Sequence, residues 1–238
     1  MSKYAPLGNV TLFAELLEKV INRPRDLPGI GVFYGWAGLG KTKSATYGAN
    51  RYEASYLEVG ESWGKGAFCK KLLTELAQPD KGTIADMVDR IIVTLMTTDR
   101  PLIIDEFDHV IRKGYIETVR EIHDKSGVPI VLIGEEMLPH RIKQFERFDS
   151  RVLAQVAAQK CNSSDGYMLA KIYAPNVEIA PDMMDTVIAQ TKGITRRIAT
   201  NLYMISGTAK VEGWQTVDRA TWGNRPLYTN AVPTRRKG

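Results

Sequence analysis

The chain has 238 residues, of which 44% are apolar and 25% charged, an ordinary globular composition that excludes disorder as the default and allows one large domain or a large and a small one. No run approaches the roughly 18 apolar residues that span a bilayer, "MSKYAPLGNV" lacks the basic and apolar regions of a secretory signal, and the two cysteines, Cys69 and Cys161, match no metal spacing; a cytoplasmic protein without a membrane partner is expected. The net charge of +5 is mainly a property of the C-terminal stretch: from Lys210 onward six Lys or Arg face two acids, so that stretch, ending in Arg235, Arg236 and Lys237, reads either as a contact for nucleic acid or an acidic partner or as a solvated terminus.

"TLFAELLEKVINR" has Leu12, Leu16, Leu17 and Val20 at helical spacing with Thr11 as its N-cap. Strand-like runs follow at residues 32–34, 56–59, 102–104, 130–133 and 152–156, with helical patterns between them, among them Ile84, Val88, Ile91 and Leu95. Strands alternating with helices predict a parallel sheet whose ligand lies at the carboxyl ends of the strands. After about Lys160 the pattern changes to two helices, one from Pro181 to just before Gly193 and one carrying Ile194, Ile198, Leu202 and Ile205 on one face. The last segment, with two prolines and little periodicity, reads as an extended arm.

Two stretches carry chemistry. Gly35-Trp36-Ala37-Gly38-Leu39-Gly40-Lys41-Thr42 satisfies G-x-x-x-x-G-K-[ST] without a mismatch, between a strand and a helix. Glycines let backbone N–H groups close around phosphate oxygens, the lysine neutralises the β and γ phosphates, and the hydroxyl holds Mg²⁺; Lys43 is counted with this ATP-binding set. "LIIDEFD" ends an apolar strand in Asp105 and Glu106, 64 residues after Lys41. An aspartate there holds magnesium through water, and the adjacent glutamate orients and deprotonates the attacking water.

With these two motifs the chain resembles the AAA+ family of ATPases from about residue 11 to about 208. The resemblance implies a five-stranded parallel sheet in the order 5-1-4-3-2 with a small helical lid, and domain limits of 1–160 for the α/β nucleotide-binding domain, 161–209 for the lid and 210–238 for a basic arm. It implies a γ-phosphate sensor at the tip of the fourth strand, where this chain has Glu135 in place of the usual Asn, Thr or Ser. It implies an arginine finger before the fifth strand, for which "FERFDSRVLAQV" offers Arg147 and Arg151, the latter favoured because it abuts the strand. In "GITRRIA" the second sensor arginine maps to Arg196.

"REIHDKSGVPIVLIG" looks more closely like the transposition ATPases of Mu-like phages, the target-capture B proteins, and their relatives among Tn7-type regulators and insertion-sequence helper ATPases. That resemblance implies sequence-nonspecific binding of duplex DNA with ATP, a helical filament of copies, delivery of target DNA to a transposase, and slow hydrolysis that DNA or transposase stimulates. The phage Mu protein has an additional N-terminal DNA-binding domain, whereas about ten residues precede the first helix here. Repetition along a filament compensates, with Lys65 in "SWGKG" and Arg112 and Lys113 in "VIRKG" as candidate DNA contacts in glycine-flanked loops; Trp63 either stacks on DNA or packs under its loop. A helicase loader or other DNA-replication ATPase shares every nucleotide residue named, and a small-molecule kinase and a non-hydrolysing ATP-gated scaffold are more distant alternatives.

Overall fold

Five strands, β1 (Ile30–Tyr34), β2 (Ser55–Glu58), β3 (Leu102–Asp105), β4 (Ile130–Gly134) and β5 (Val152–Ala157), form one sheet in the order β2-β3-β4-β1-β5, with every pairing parallel. This is the order the resemblance implies, read from the other edge. The computed structural model describes residues 7–229. These divide into two units: Asn9–Ala37 with Lys41–Ala158, which holds the sheet, and residues 7–8 with Gly38–Gly40 and residues 159–229.

Side chains of a strand alternate between its faces, and here each face has its own core. Ile30, Val32, Leu102, Ile104, Ile130 and Leu132 enter one, while Phe33, Ile103, Val131 and Ile133 enter the other. The strands are apolar on both sides because both sides are covered, as parallel sheets require. The second face is covered by α1 (Gly8–Ile21) and α2 (Lys41–Arg51), through Phe13, Leu16, Leu17, Val20 and Ala45. The first is covered by α3 (Lys65–Glu75), α4 (Ile84–Thr98), α5 (Asp108–Arg112), α6 (Ile116–Ser126), α7 (Leu138–Ile142) and α8 (Glu146–Asp149). Helix α4 is started by a reciprocal capping box between Thr83 and Asp86. Helix α1 starts three residues before the expected Thr11 cap. The Gly8 N–H finds its acceptor in Asp165 Oδ1 at 2.9 Å, 157 positions along the chain, and a local N-cap is not needed.

The other unit is helical with a minimal sheet. It contains α9 (Ser163–Tyr173), β6 (Glu178–Ile179), α10 (Pro181–Thr191), α11 (Thr195–Glu212), β7 (Thr216–Val217) and α12 (Arg219–Trp222), packed around Leu169, Met183, Met184, Val187, Ile198, Leu202 and Ile205. Between residues 163 and 212 three helices, α9, α10 and α11, therefore stand where two are expected, and α12 follows in the segment read as an arm. The start of α9 is written in the sequence as a capping box, with the Asn162 side chain taking the Asp165 N–H and Asp165 returning to Asn162. The expected arm is also corrected as far as residue 229. Helix α11 runs through the 209/210 limit to Glu212, and beyond it Val217 and Trp222 are buried. Two-residue strands and a one-turn helix are too short to leave a periodic signal. Asn201, fully buried, donates to the Tyr228 carbonyl at 2.9 Å and accepts the Tyr228 N–H at 2.7 Å, which ties residue 228 to α11. Arg235, Arg236 and Lys237 lie outside the described residues.

Gly48 of α2 tests the packing between helix and sheet. A Cβ there lies 2.6 Å from Phe13 Cε1, and the buried Phe13 ring is packed edge-on against Phe33 at 5.3 Å. Alanine gains about 1 kcal/mol of helix propensity, but overpacking a rigid core costs about 1–3 kcal/mol. Gly48→Ala is expected to lower the unfolding free energy by about 1 kcal/mol in urea titration; an increase would show that the Phe13 ring yields.

Candidate functional site

The chain leaves β1 at Tyr34 and passes through the glycine-rich loop before α2 begins at Lys41. Gly38 and Gly40 have φ of +84° and +88°, in the left-handed region that side chains resist. Gly38 is also crowded, since a Cβ there lies 3.0 Å from Ile194 Cγ2. Its carbonyl accepts the Arg196 N–H at 3.0 Å, and the Arg196 side chain is exposed. Lys41 folds back over the loop, its Nζ donating to the carbonyls of Gly35 at 2.5 Å and Trp36 at 3.0 Å. Burial lowers the Lys41 pKa, and the nearby carboxylates of Asp105 and Glu106 oppose that shift. Leu39 is buried, while Trp36, Ala37, Thr42 and Lys43 are exposed. An α-helix directs its first-turn N–H groups out of its N-terminus, so the start of α2 adds donors to the loop.

Asp105 ends β3, with β4 between it and β1. This is the place that the order 5-1-4-3-2 implies for the third strand. Asp105 is 2% exposed, and each of its oxygens has one donor. Oδ1 accepts the Glu106 N–H at 2.8 Å and Oδ2 accepts the Tyr56 hydroxyl at 3.0 Å. Burial and the neighbouring carboxylate raise the Tyr56 pKa far above that of an ordinary phenol, so its proton stays in place. Glu106 has φ +56°, a left-handed conformation that costs a side-chain-bearing residue about 1–3 kcal/mol. Its neighbours enforce it: the Phe107 N–H donates to Ile133 O at 2.9 Å and the His109 N–H to Glu106 O at 3.0 Å. Burial, and then the charge on Asp105, raises the Glu106 pKa above its usual value.

A third acid of the same stretch, Asp108, is also 2% exposed, and the sequence reading passed over it. Its Oδ1 accepts from Arg141 Nη1 at 2.5 Å and its Oδ2 accepts the Glu135 N–H at 2.7 Å. At Gly134 a Cβ would stand 2.2 Å from Asp108 Oδ2, which accounts for the glycine in "VLIGEE". Arg141 also reaches Glu135 Oε2 at 3.4 Å, and the Glu135 side chain is 58% exposed. The signal in the sequence was a carboxylate at a position too apolar to be solvated, but its cation lies 33 residues away.

The two finger candidates differ. Arg151 makes a fork to Asp124, Nε to Oδ1 at 3.0 Å and Nη2 to Oδ2 at 3.1 Å. Arg147, in α8, is exposed and its side chain has no hydrogen bond or ion pair among the described residues. Lys65 begins α3, Arg112 ends α5 and Lys113 caps it, so these three candidates belong to helix ends and not to loops. All are exposed or partly so, and Arg112 pairs with Glu61 at 3.3 Å. Trp63 packs under its own loop, its indole 2.5 Å from where a Gly60 Cβ would stand. Among the described residues no group of three or more His, Cys, Asp or Glu gathers as a metal cluster, and no helix is long and apolar enough to cross a membrane.

A family model described as an AAA domain matches residues 25–142. No curated protein matches the sequence. Among solved structures, the Orc1 protein of Aeropyrum pernix in complex with DNA is similar at a TM-score of 0.60 and 16% identity, over 90% of this chain and 62% of that one. Cdc6p from Pyrobaculum aerophilum is similar at a TM-score of 0.63 and 13% identity, over 91% of this chain and 66% of that one. The chain thus spans less than two thirds of either.

The Asp108–Arg141 pair is open to a direct test. Removing the cation strands a buried carboxylate, which costs about 3 kcal/mol for such pairs, here about 2 kcal/mol because Arg141 is partly exposed. Arg141→Met is expected to lose about that much stability in urea unfolding, and Asp108→Asn in the same chain to restore more than half of it. No recovery in the double variant would mean that Arg141 acts by packing alone.

Proposed function

The chain carries an AAA domain on an α/β AAA+ P-loop fold, and from that premise we propose that it is an ATPase that binds duplex DNA without sequence choice, assembles along it as a filament, and presents it as target to a transposase. The observation that carries the nucleotide half is the glycine loop with left-handed Gly38 and Gly40, which opens into α2, whose first residue, Lys41, interacts with the charges of Asp105 and Glu106. The donors suit a triphosphate and a hard cation. Gly35, Trp36, Ala37, Gly38, Leu39 and Gly40 supply backbone, Lys41 exchanges its two carbonyls for phosphate oxygens, Lys43 adds charge at the helix start, and Thr42 and Asp105 supply oxygen to Mg²⁺. Magnesium, when bound, neutralises charge on the phosphates. Glu106 accepts the proton of the attacking water. Arg196 is a candidate phosphate contact through its place next to Gly38, whereas Glu135 has Arg141 as its partner, which argues for a carboxylate turned to its own cation. For the finger, Arg147 is favoured over Arg151, whose guanidinium is taken up by Asp124.

The DNA half rests on the likeness of "REIHDKSGVPIVLIG" to the phage transposition ATPases and on the exposed Lys65, Arg112 and Lys113. A second reading, a DNA-replication ATPase such as a helicase loader, is supported by the fold shared with Orc1, a structure in complex with DNA. Electron microscopy with a non-hydrolysable ATP analogue separates them. Long filaments on duplex DNA are expected for target capture, and small rings or a helicase complex for loading; a chain that stays monomeric with saturating analogue and long duplex overturns both.

Hydrolysis is tested at Glu106. Glu106→Gln is expected to keep ATP binding and to lose more than 100-fold in phosphate release, in the range for a lost general base. A base works only when ionised, and the Glu106 pKa is raised, so the wild-type rate is expected to fall on acidification at a pH above the ordinary glutamate range of about 4.3, while ATP affinity does not follow that limb. Normal turnover by Glu106→Gln removes the residue from proton transfer.

A further inference from the structure

Nothing in the loop motif or the acid pair requires Tyr56, yet its hydroxyl is 3.0 Å from Asp105 Oδ2. In the β2–β3 register Glu58 stands opposite Asp105 and Tyr56 opposite Ile103. Tyr56 therefore lies one strand across and two positions back from Asp105, a diagonal of about 8 Å between backbones that only a long side chain spans. Serine or threonine at 56 would fall short. The ring is packed against the core formed by Phe13, Phe33, Ala45 and Ile103, which fixes where the hydroxyl ends. A carboxylate has about four acceptor sites. On Asp105 the Glu106 N–H takes one on Oδ1 and the phenol takes one on Oδ2, and the remaining sites have no donor among the described residues.

We infer that Tyr56 is a positioning residue for the divalent cation: its hydroxyl locks the Asp105 carboxylate in the rotamer that offers its remaining lone pairs to the cation's water shell. This rests on the ATPase reading, with Asp105 as the outer partner of Mg²⁺. Without the phenol proton, the Glu106 N–H alone holds the carboxylate, which is then free to turn toward the ammonium of Lys41, one of the charges it already interacts with. Outer partners of this kind typically change metal affinity by about 10- to 100-fold. A neutral phenol acting on a water-mediated contact belongs at the lower end.

The test is titration of the full chain with a fluorescent ATP analogue at increasing Mg²⁺ and, separately, in EDTA. Tyr56→Phe keeps the ring and removes only the hydroxyl. The expected result is an unchanged dissociation constant in EDTA and a Mg²⁺ half-saturation raised about tenfold. In an Asp105→Asn background the same change is expected to have no further effect, because both act at one carboxylate. A Mg²⁺ curve that superimposes on wild type, an equal loss in EDTA, or an additive double variant each overturns the inference. Wild-type chain that shows no Mg²⁺-dependent binding overturns the ATPase reading itself, a distinct outcome from an unshifted Tyr56→Phe.

Discussion

Three carboxylates within four residues, Asp105, Glu106 and Asp108, have to be kept at the end of one strand, with the first and third almost wholly removed from water. Burying a lone ionised carboxylate costs several kcal/mol after relaxation, so each needs its own means of compensation, and much of the local structure consists of those means. Asp105 takes a phenol and a backbone N–H, and Asp108 takes a guanidinium and another backbone N–H. Glu106 has less help and remains partly exposed, with its pKa raised. The division suits the proposed chemistry: Asp105 and Asp108 are each held by two donors, and the poorly compensated Glu106 is the one proposed to exchange a proton.

The same constraint reaches β4. Because Asp108 accepts the Glu135 N–H, it approaches the end of β4 closely enough that position 134 has room only for glycine. Because Arg141 neutralises Asp108, helix α7 is held over that strand end. The left-handed turn at Glu106 is what lets Asp105 and Asp108 face different partners although only two residues separate them.

The fold was legible because its signals are local. Five apolar runs bounded by turns matched the strands to within two residues at every end, and the glycine loop with its lysine is contiguous. What escaped is what depends on contact between distant positions: Arg141 meeting Asp108 across 33 residues, Asp124 taking Arg151 across 27, and Tyr56 reaching Asp105 across 49. No periodicity marks any of these, since each partner is an ordinary polar residue on its own element. The choice of Arg151 as finger illustrates the difference, because adjacency to a strand is visible in the sequence and prior commitment to a carboxylate is not. The Thr11 cap failed for the same reason, as Asp165 supplied from afar what the local rule assigns to a neighbour.

Lys41 closing on the carbonyls of Gly35 and Trp36 gives the arch a dummy guest of its own. The side chain supplies donors to two carbonyl oxygens of the loop. On the proposed reading, a phosphate draws the Lys41 ammonium off these two carbonyls and so exchanges one set of hydrogen bonds for another. The heat of that exchange is a small difference between two sets of hydrogen bonds, so selectivity at this loop comes more from shape and charge than from the number of contacts made.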